Sequence, residues 1–390
     1  MSIAGSMAEL SPVLLALCGL CVAGAAVGCV LTLIEAALVL GSAAKQREDP
    51  AVEPAVTVLK PLHGAEPDLP ARLTAFCRQD YAGAVQIVCG AADEASSAAG
   101  VRALQAELSD QRLELVIDPR AHGTNRKVSN LINMLTRARY DTLVLSDSDI
   151  VVGADYLRAV VALLAAPRVG AVSCLYYGIG DDGLWARLSA LAINSHFLPL
   201  AIAATRLGLA KPCSGATIAL RRSVLNHIGG LGAFADVLAD DYAIGAAVRA
   251  AGYDVVIAPF VVGHRCFEET ARQLVRHEMR VARTIRAIDP IGYAGTILTH
   301  PFPLALLGLM SGSTAAAAIA AAVLAARLTL CRCVERRFGL QRQDYWLIPL
   351  QDVIAFVVYV ASFFGATVHW RGSDYRVAAD GSLIGQDLRH

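Results

Sequence analysis

The chain has 390 residues, 55% of them hydrophobic and 17% charged, with a mean hydropathy of +0.50 and a formal net charge of zero. It is too apolar for an ordinary soluble domain, its length suits roughly two to three domains, and its charge balance excludes a composition-based case for nucleic-acid binding. The ten cysteines form no disulfide framework. Cys18-x-x-Cys21 has metal-site spacing but no second ligand pair, and it lies in an apolar run. Both features make it small apolar filler in a reducing compartment.

Residues 11–34 carry no charge, enough for one membrane-spanning helix. With no basic segment before it, the stretch reads as an uncleaved anchor. Glu9 precedes it and Lys45 and Arg47 follow, so the positive-inside rule places the following domain in the cytoplasm. A linker over 46–54 then leads into short β-type runs at 56–59, 85–88, 113–117 and 142–145. Helical segments at 69–78, 97–108 and 126–137 lie between them. Strands alternating with helices predict a mostly parallel α/β sheet. Further strands are expected at 171–175, 216–221 and 255–258.

The fourth run ends in Leu145-Ser146-Asp147-Ser148-Asp149. In a strand, residues two apart share a face, so Asp147 and Asp149 converge at the carboxyl edge of the sheet. Two hard oxygen ligands there suit Mg²⁺ or Mn²⁺ carrying a diphosphate. An acidic turn after a strand is the plainer reading of an Asp-x-Asp pair, and its place after the fourth strand favours the metal. Gly178-Ile179-Gly180-Asp181-Asp182-Gly183 matches a dinucleotide fingerprint, but its two aspartates sit where phosphate must approach.

Asp240-Asp241 opens a helix-like segment over 242–250. Either residue can cap that helix. As a base, a carboxylate beside another carboxylate has its pKa raised, which suits proton acceptance near neutrality. Residues 276–286 place Arg276, His277, Arg280, Arg283 and Arg286 at helical spacings. Arg280 suits a leaving diphosphate, whereas the rest of the basic face suits anionic headgroups; the two roles are compatible.

The last third is apolar again. Residues 290–326 lack charge, and 346–369 contain only Asp352. The first stretch is one tilted helix or a tight hairpin. A basic loop over 327–342 favours the hairpin, giving three or four spans in all. Residues 188–210 carry His196 and Arg206 and are expected within the fold or at the interface. The chain thus divides into an anchor (1–45), a catalytic domain (46–271), a basic interfacial helix (272–289) and a C-terminal membrane region and tail (290–390).

Several segments together resemble the ceramide glucosyltransferase family, including its bacterial hopanoid-associated relatives. Val58-Leu59-Lys60-Pro61-Leu62-His63-Gly64 looks like the family's opening strand and loop. Asp93 matches its first aspartate, which contacts the nucleotide. Asn125, Lys127 and Asn130 match its Asn-x-Lys-x-x-Asn element, and Asp147 matches its metal-associated aspartate. Cys213-Ser214-Gly215-Ala216 followed by Gly229-Gly230-Leu231 looks like its acceptor-side segment. Asp241 matches its base, and Trp370-Arg371-Gly372 resembles its ending. The likeness runs from about Val56 to Tyr375. Two departures stand out: His277-Glu278-Met279-Arg280-Val281 replaces a Gln-or-Arg, two spacers, then Arg-Trp pattern, and Asp240 replaces a Glu.

The resemblance implies a GT-A fold and an inverting, metal-assisted displacement. Asp241, beside Asp240, would act as base. Lys60, Asp93, Asn125, Lys127, Asp147, His277 and Arg280 would hold a UDP-sugar, and Asp147 and Asp149 the Mn²⁺ or Mg²⁺. The expected acceptor is a lipid hydroxyl in the bilayer: a hopanoid polyol receiving N-acetylglucosamine, or ceramide receiving glucose. The expected location is a bacterial inner membrane. A processive polysaccharide synthase is disfavoured by the few spans and the altered 277–281 segment. A non-catalytic membrane scaffold is disfavoured by the full set of acidic and basic residues.

Overall fold

The computed structural model describes residues 11–42, 53–64, 66–94, 96–108, 112–180, 183–370, 373–377 and 383–385. Glu9, Lys45, Arg47, most of the 46–54 linker, Asp181, Asp182, Arg371 and Gly372 lie outside the described residues.

A 29-residue helix, α1 (Pro12–Leu40), precedes the α/β region and is capped by the Ser11 side chain. The alternating part follows as β1 (Val56–Pro61), α2 (Leu69–Cys77), β2 (Val85–Ala91), α3 (Ser96–Leu108), β3 (Leu113–Ile117), α4 (Arg126–Leu135), β4 (Thr142–Leu145) and β5 (Ile150–Val151). Next come α5 (Tyr156–Leu164), β6 (Val169–Ile179), α6 (Leu184–Ala192), α7 (Leu198–Arg206), β7 (Ile218–Arg221), α8 (Arg222–His227), α9 (Asp240–Ala250) and β8 (Asp254–Arg265).

The eight strands form one sheet in the order β3-β2-β1-β4-β7-β6-β8-β5. β1 pairs in parallel with both β2 and β4, β2 with β3, and β6 with β8. β7 runs antiparallel between β4 and β6, and β5 antiparallel to β8. Strands β1 and β2 are buried throughout because helices cover both faces of the parallel part of the sheet, and their buried polar side chains Thr57 and Gln86 bond to each other at 2.8 Å. One core packs α2, α3 and α5 on one face, around Leu73, Phe76 and Leu157. The other packs α4, α8 and α9 opposite, around Met134, Leu225 and Val248.

Beyond the sheet run α10 (Ala271–Ile288), α11 (Pro290–Gly295), α12 (Pro301–Leu309), α13 (Thr314–Phe338) and α14 (Ile348–Ser362). A small antiparallel sheet of β9 (Thr367–Trp370), β10 (Ser373–Val377) and β11 (Leu383–Gly385) follows. A capping box on Thr270 and Gln273 starts α10. Four helical segments among the described residues are long and apolar enough to cross a membrane: Pro12–Leu40, Leu184–Arg206, Thr314–Phe338 and Tyr345–Ser362. This is a membrane protein with one such helix near its N-terminus and others near its C-terminus. The Leu184–Arg206 segment is two-thirds buried inside the protein, in keeping with an in-fold helix. A π-helical turn, Ile193–Phe197, interrupts it.

Residues 290–326 adopt a hairpin with one short arm. α12, nine residues long, spans about 14 Å at a 1.5 Å rise, too little to cross a bilayer. It packs against α1, and a Cβ on Gly28 would stand 2.3 Å from the Leu298 carbonyl oxygen. Only glycine allows that approach. The expected basic loop over 327–342 is corrected: α13 continues as helix to Phe338, with Arg327 inside it. The cause is a partner on the next helix. Arg327 is 3% exposed and Asp352 8%, joined at 2.6 Å, and Arg327 also donates to the carbonyl of Ser195 in the π turn at 2.6 Å. A charge met in this way does not force the helix to end.

Candidate active site

β4 pairs with β1 on one side and β7 on the other, so the Asp147–Asp149 turn leaves from the middle of the sheet at its carboxyl edge. Elements from distant parts of the chain converge there. α4 brings Lys127, whose Nζ lies 2.7 Å from Asp147 Oδ1 and 3.5 Å from Asp240 Oδ2. The start of α9 brings Asp240 and Asp241, the end of β8 brings His264 and α10 brings Arg280. Asn125 caps α4 through its side-chain oxygen and donates to Val237 O at 2.7 Å and Asp240 Oδ1 at 3.2 Å. Asn125 and Lys127 therefore locate Asp240 as well as Asp147.

Asp241 is held from two sides. Its Oδ2 accepts from the Gly215 backbone N–H at 2.8 Å and its Oδ1 from the Tyr242 N–H at 2.7 Å. Burial first, then the neighbouring Asp240 carboxylate, pushes the Asp241 carboxyl up to about 6, with Lys127 and the two N–H groups opposing. Asp240 is 6% exposed and committed to Asn125 and Lys127, which leaves Asp241 as the carboxylate suited to take a proton. With Asp241 as the base that the resemblance implies, an acid limb in the rate with its midpoint at or below about pH 6 is expected, because a carboxyl accepts a proton only when ionised. Asp240→Asn should move that limb to lower pH by removing the like charge. A pH–rate profile of the two proteins checks both statements.

Asp149 differs from Asp147. His264 Nε2 lies 3.2 Å from Asp149 Oδ2, while Asp149 Oδ1 is buried with no hydrogen-bond partner among the described residues. Burial works against ionising Asp149, but the imidazolium and Lys60 outweigh it and hold the carboxyl well below the usual range. The same pairing overcomes burial at His264 and holds it well above the ordinary histidine value. Asp147 titrates above its usual range, through burial and the adjacent Asp149, with Lys127 opposing. Among the described residues no three His, Cys, Asp or Glu side chains form a ready metal cluster, and Asp147 is paired with Lys127. A buried carboxylate oxygen without a hydrogen-bond partner among the described residues, beside another carboxylate and a histidine that would give up its proton on metal binding, is nevertheless a donor set that fits Mn²⁺ or Mg²⁺.

Arg280 lies on the face of α10 turned to this cluster. Burial lowers its pKa, against the pull of Tyr176, Asp147, Asp241 and Asp149. Tyr176 stacks on Phe197 at 4.8 Å and tilts over His264 at 5.2 Å, making an aromatic wall beside the carboxylates. Not every expected residue meets the cluster. His277, one turn earlier on α10, pairs with Glu268 Oε1 at 2.6 Å. Asp93 is exposed two residues beyond β2, on the same edge of the sheet. Lys60 is fully buried beneath the turn, its Nζ 2.7 Å from the Asp147 carbonyl oxygen, and burial pushes it down to about 8.

Sequence reasoning did not single out His264, Tyr176, Glu66 or Arg72. His264 ends a strand whose sequence signal stops six residues earlier, at 258, and only the β8–β5 pairing sets it opposite Ile150. Gly215 has a steric reason to be glycine. A Cβ there would stand 2.8 Å from Lys127 Nζ and 3.0 Å from Asp147 Oδ2. Gly215→Ala should displace that ion pair and lower the transfer rate at least tenfold in a protein whose thermal midpoint changes little, checked by paired kinetics and melting curves.

The profile of glycosyl transferase family 21 matches residues 20–383. Ceramide glucosyltransferase 1 of Caenorhabditis elegans is 25% identical over 216 residues, 55% of this chain and 46% of that protein. The chain thus spans about half the length of that curated relative. Among solved structures, a mannosyltransferase from Pyrobaculum calidifontis, in complex with GDP-mannose and Mn²⁺, is similar at a TM-score of 0.51 and 23% identity. The match covers 90% of this chain and 99% of that one. This likeness is one of fold and agrees with the GT-A arrangement of the sheet.

Proposed function

The chain belongs to glycosyl transferase family 21, and from that premise we propose that it moves a hexose or N-acetylhexosamine from a UDP-sugar to the hydroxyl of a membrane lipid, with inversion at the anomeric carbon. The observation that carries the reading is the position of α10. One face of this helix turns Arg280 to the carboxylate cluster. Val275 and Ile285 are exposed on the same helix, and Ile291 just beyond it is 85% exposed, an apolar edge suited to a lipid surface. That edge lets α10 lie at a lipid surface while its other face turns Arg280 to the carboxylate cluster, so an acceptor whose tails stay in the bilayer would reach the cluster from the side of this helix.

Asp241 would take the acceptor proton on a carboxylate oxygen as the acceptor oxygen bonds to the anomeric carbon. The bond from that carbon to the diphosphate oxygen breaks with its electron pair, which stays on the UDP. The Gly215 and Tyr242 N–H groups keep Asp241 oriented through this step. Arg280 meets the departing charge with a guanidinium freed from competing ion pairs among the described residues. Asp149, Asp147 and, with its proton released on binding, His264 would hold a Mn²⁺ or Mg²⁺ ion, whose chemistry is to neutralise the diphosphate as it leaves. Back-side attack on an α-linked donor gives a β-linked glycolipid. With the catalytic region on the cytoplasmic side of a bacterial inner membrane, donor and acceptor meet without either crossing the bilayer.

A product assay tests the reading. Purified protein in lipid nanodiscs with Mn²⁺ is offered UDP-glucose or UDP-N-acetylglucosamine against ceramide and a hopanoid polyol, and lipid products are read by mass spectrometry. A single-sugar adduct on either lipid supports the proposal and identifies the acceptor. Water-soluble polymer as the sole product would move the assignment to a processive synthase. Folded protein that neither binds UDP nor forms any adduct would sink it.

A further inference from the structure

The Asp147-Ser148-Asp149 turn is gripped from beneath by two buried cations on different elements. Lys60, in β1, donates to the Asp147 carbonyl oxygen at 2.7 Å and to Ser146 Oγ at 3.3 Å. Arg72, in α2, donates from Nε to the next carbonyl, that of Ser148, at 3.0 Å. Lys60 is 0% exposed and Arg72 4%.

Neither cation is held loosely. The Lys60 ammonium sits 3.9 Å above the centroid of Phe76. Arg72 uses its remaining nitrogens on the Pro67 carbonyl at 2.5 Å and Glu66 Oε2 at 3.1 Å, and its guanidinium lies 5.1 Å from the centroid of Phe267. Glu66 is fixed in turn by the His63 N–H at 3.1 Å.

We infer that Lys60 and Arg72 are positioning residues that set the Asp147–Asp149 turn for binding of a divalent cation. The inference rests on the metal-assisted transfer proposed above and adds two residues to it. Water or a neighbouring N–H would satisfy a carbonyl at far lower cost than a desolvated ammonium or guanidinium. Two such groups on consecutive carbonyls fix both peptide planes of the turn. They thereby fix the directions in which the Asp147 and Asp149 side chains leave it. The planar fork of Arg72 does what an ammonium there cannot, because Nε, Nη1 and Nη2 each meet a different acceptor in one plane. Groups behind metal ligands act in this way by orientation, and their loss commonly weakens metal binding by about 10- to 100-fold.

The two cations also place positive charge near the metal position, and this supplies the discriminating test. If they acted by charge alone, removing one would strengthen Mn²⁺ binding and Arg72→Lys would leave it unchanged. If they act by geometry, Arg72→Lys keeps the charge, loses the grip on Ser148 and weakens binding.

The experiment titrates Mn²⁺ into the full-length protein and into Arg72→Lys and Lys60→Met. Bound ion is read by electron paramagnetic resonance, and transfer rates are measured at limiting and saturating Mn²⁺. The expected result is a dissociation constant for Mn²⁺ raised about tenfold in each variant, with kcat of Arg72→Lys at saturating Mn²⁺ within about threefold of the parent. Arg72→Lys binding Mn²⁺ as the parent does, or more tightly, overturns the inference. So does an equal loss of kcat at all Mn²⁺ concentrations, the signature of general damage. If one variant fails to fold, the other carries the test, since the two cations lie on different elements. A parent protein that binds no Mn²⁺ and transfers no sugar defeats the functional proposal instead, which keeps the two failures apart.

Discussion

Asp241→Asn is expected to lower the transfer rate by about 10³-fold while leaving UDP binding and the melting curve nearly unchanged. The amide matches the carboxylate in shape, so packing at the start of α9 survives. It has one acceptor oxygen in place of two, however, and the present side chain accepts from both Gly215 and Tyr242. The variant therefore loses the proton acceptor and one of its orienting bonds together. A rate reduced less than tenfold would remove Asp241 from the role of base. Asp240→Asn gives the contrast: its carboxylate is bound to Lys127 and Asn125, so its loss should shift the pH profile and weaken the Lys127 anchor without abolishing turnover.

The second large effect is on stability. Replacing Asp352 by Ala leaves the Arg327 guanidinium buried without its carboxylate, at a cost of about 3–5 kcal/mol. Two charge-assisted contacts vanish, from Nε at 2.9 Å and Nη2 at 2.6 Å. What remains are the bonds from Arg327 to the carbonyl and hydroxyl of Ser195, which do not neutralise a charge. The double change Arg327→Met with Asp352→Leu should recover most of the loss, because it removes both desolvation penalties and keeps side-chain volume. Denaturant unfolding in detergent micelles compares the three proteins. A single variant as stable as the parent would show that the pair contributes nothing.

Much of the sheet was legible because parallel strands buried on both faces leave a local trace, a short apolar run closed by turn residues. Strands β1 to β4 read in that way, and so did the two carboxylates that follow β4. The insertion of β7 between β4 and β6 leaves no such trace. Its pairing partners Thr142–Leu145 and Ala171–Ser173 lie some 45 to 80 residues upstream in the sequence, and only the assembled sheet chooses them. His264 was hidden for the same reason. Lys60 entered the sequence reading only through the family resemblance, as a residue to hold a UDP-sugar, and its burial was not legible because lysine is rarely buried without a partner. Here the partners are a backbone carbonyl and an aromatic face contributed by α2, and neither can be inferred from residues near Lys60. The apolar stretch 290–326 was ambiguous at its centre, where Gly312 and Ser313 turn the chain. The arginines after it were misread as loop because a charge in a helix is legible only together with its partner.

The separation of Arg327 from Asp352 also has a consequence for biogenesis. Their side chains meet across 25 residues of sequence, so on a ribosome adding about 5–20 residues per second the arginine waits roughly one to five seconds for its carboxylate. During that interval α13 carries an uncompensated cation at its midpoint and cannot settle at its final depth. Entry of α13 and α14 as one unit would spare the roughly 2.5–3.5 kcal/mol that a lone arginine at a helix centre costs on insertion, and truncation between them is expected to leave a less stably inserted chain.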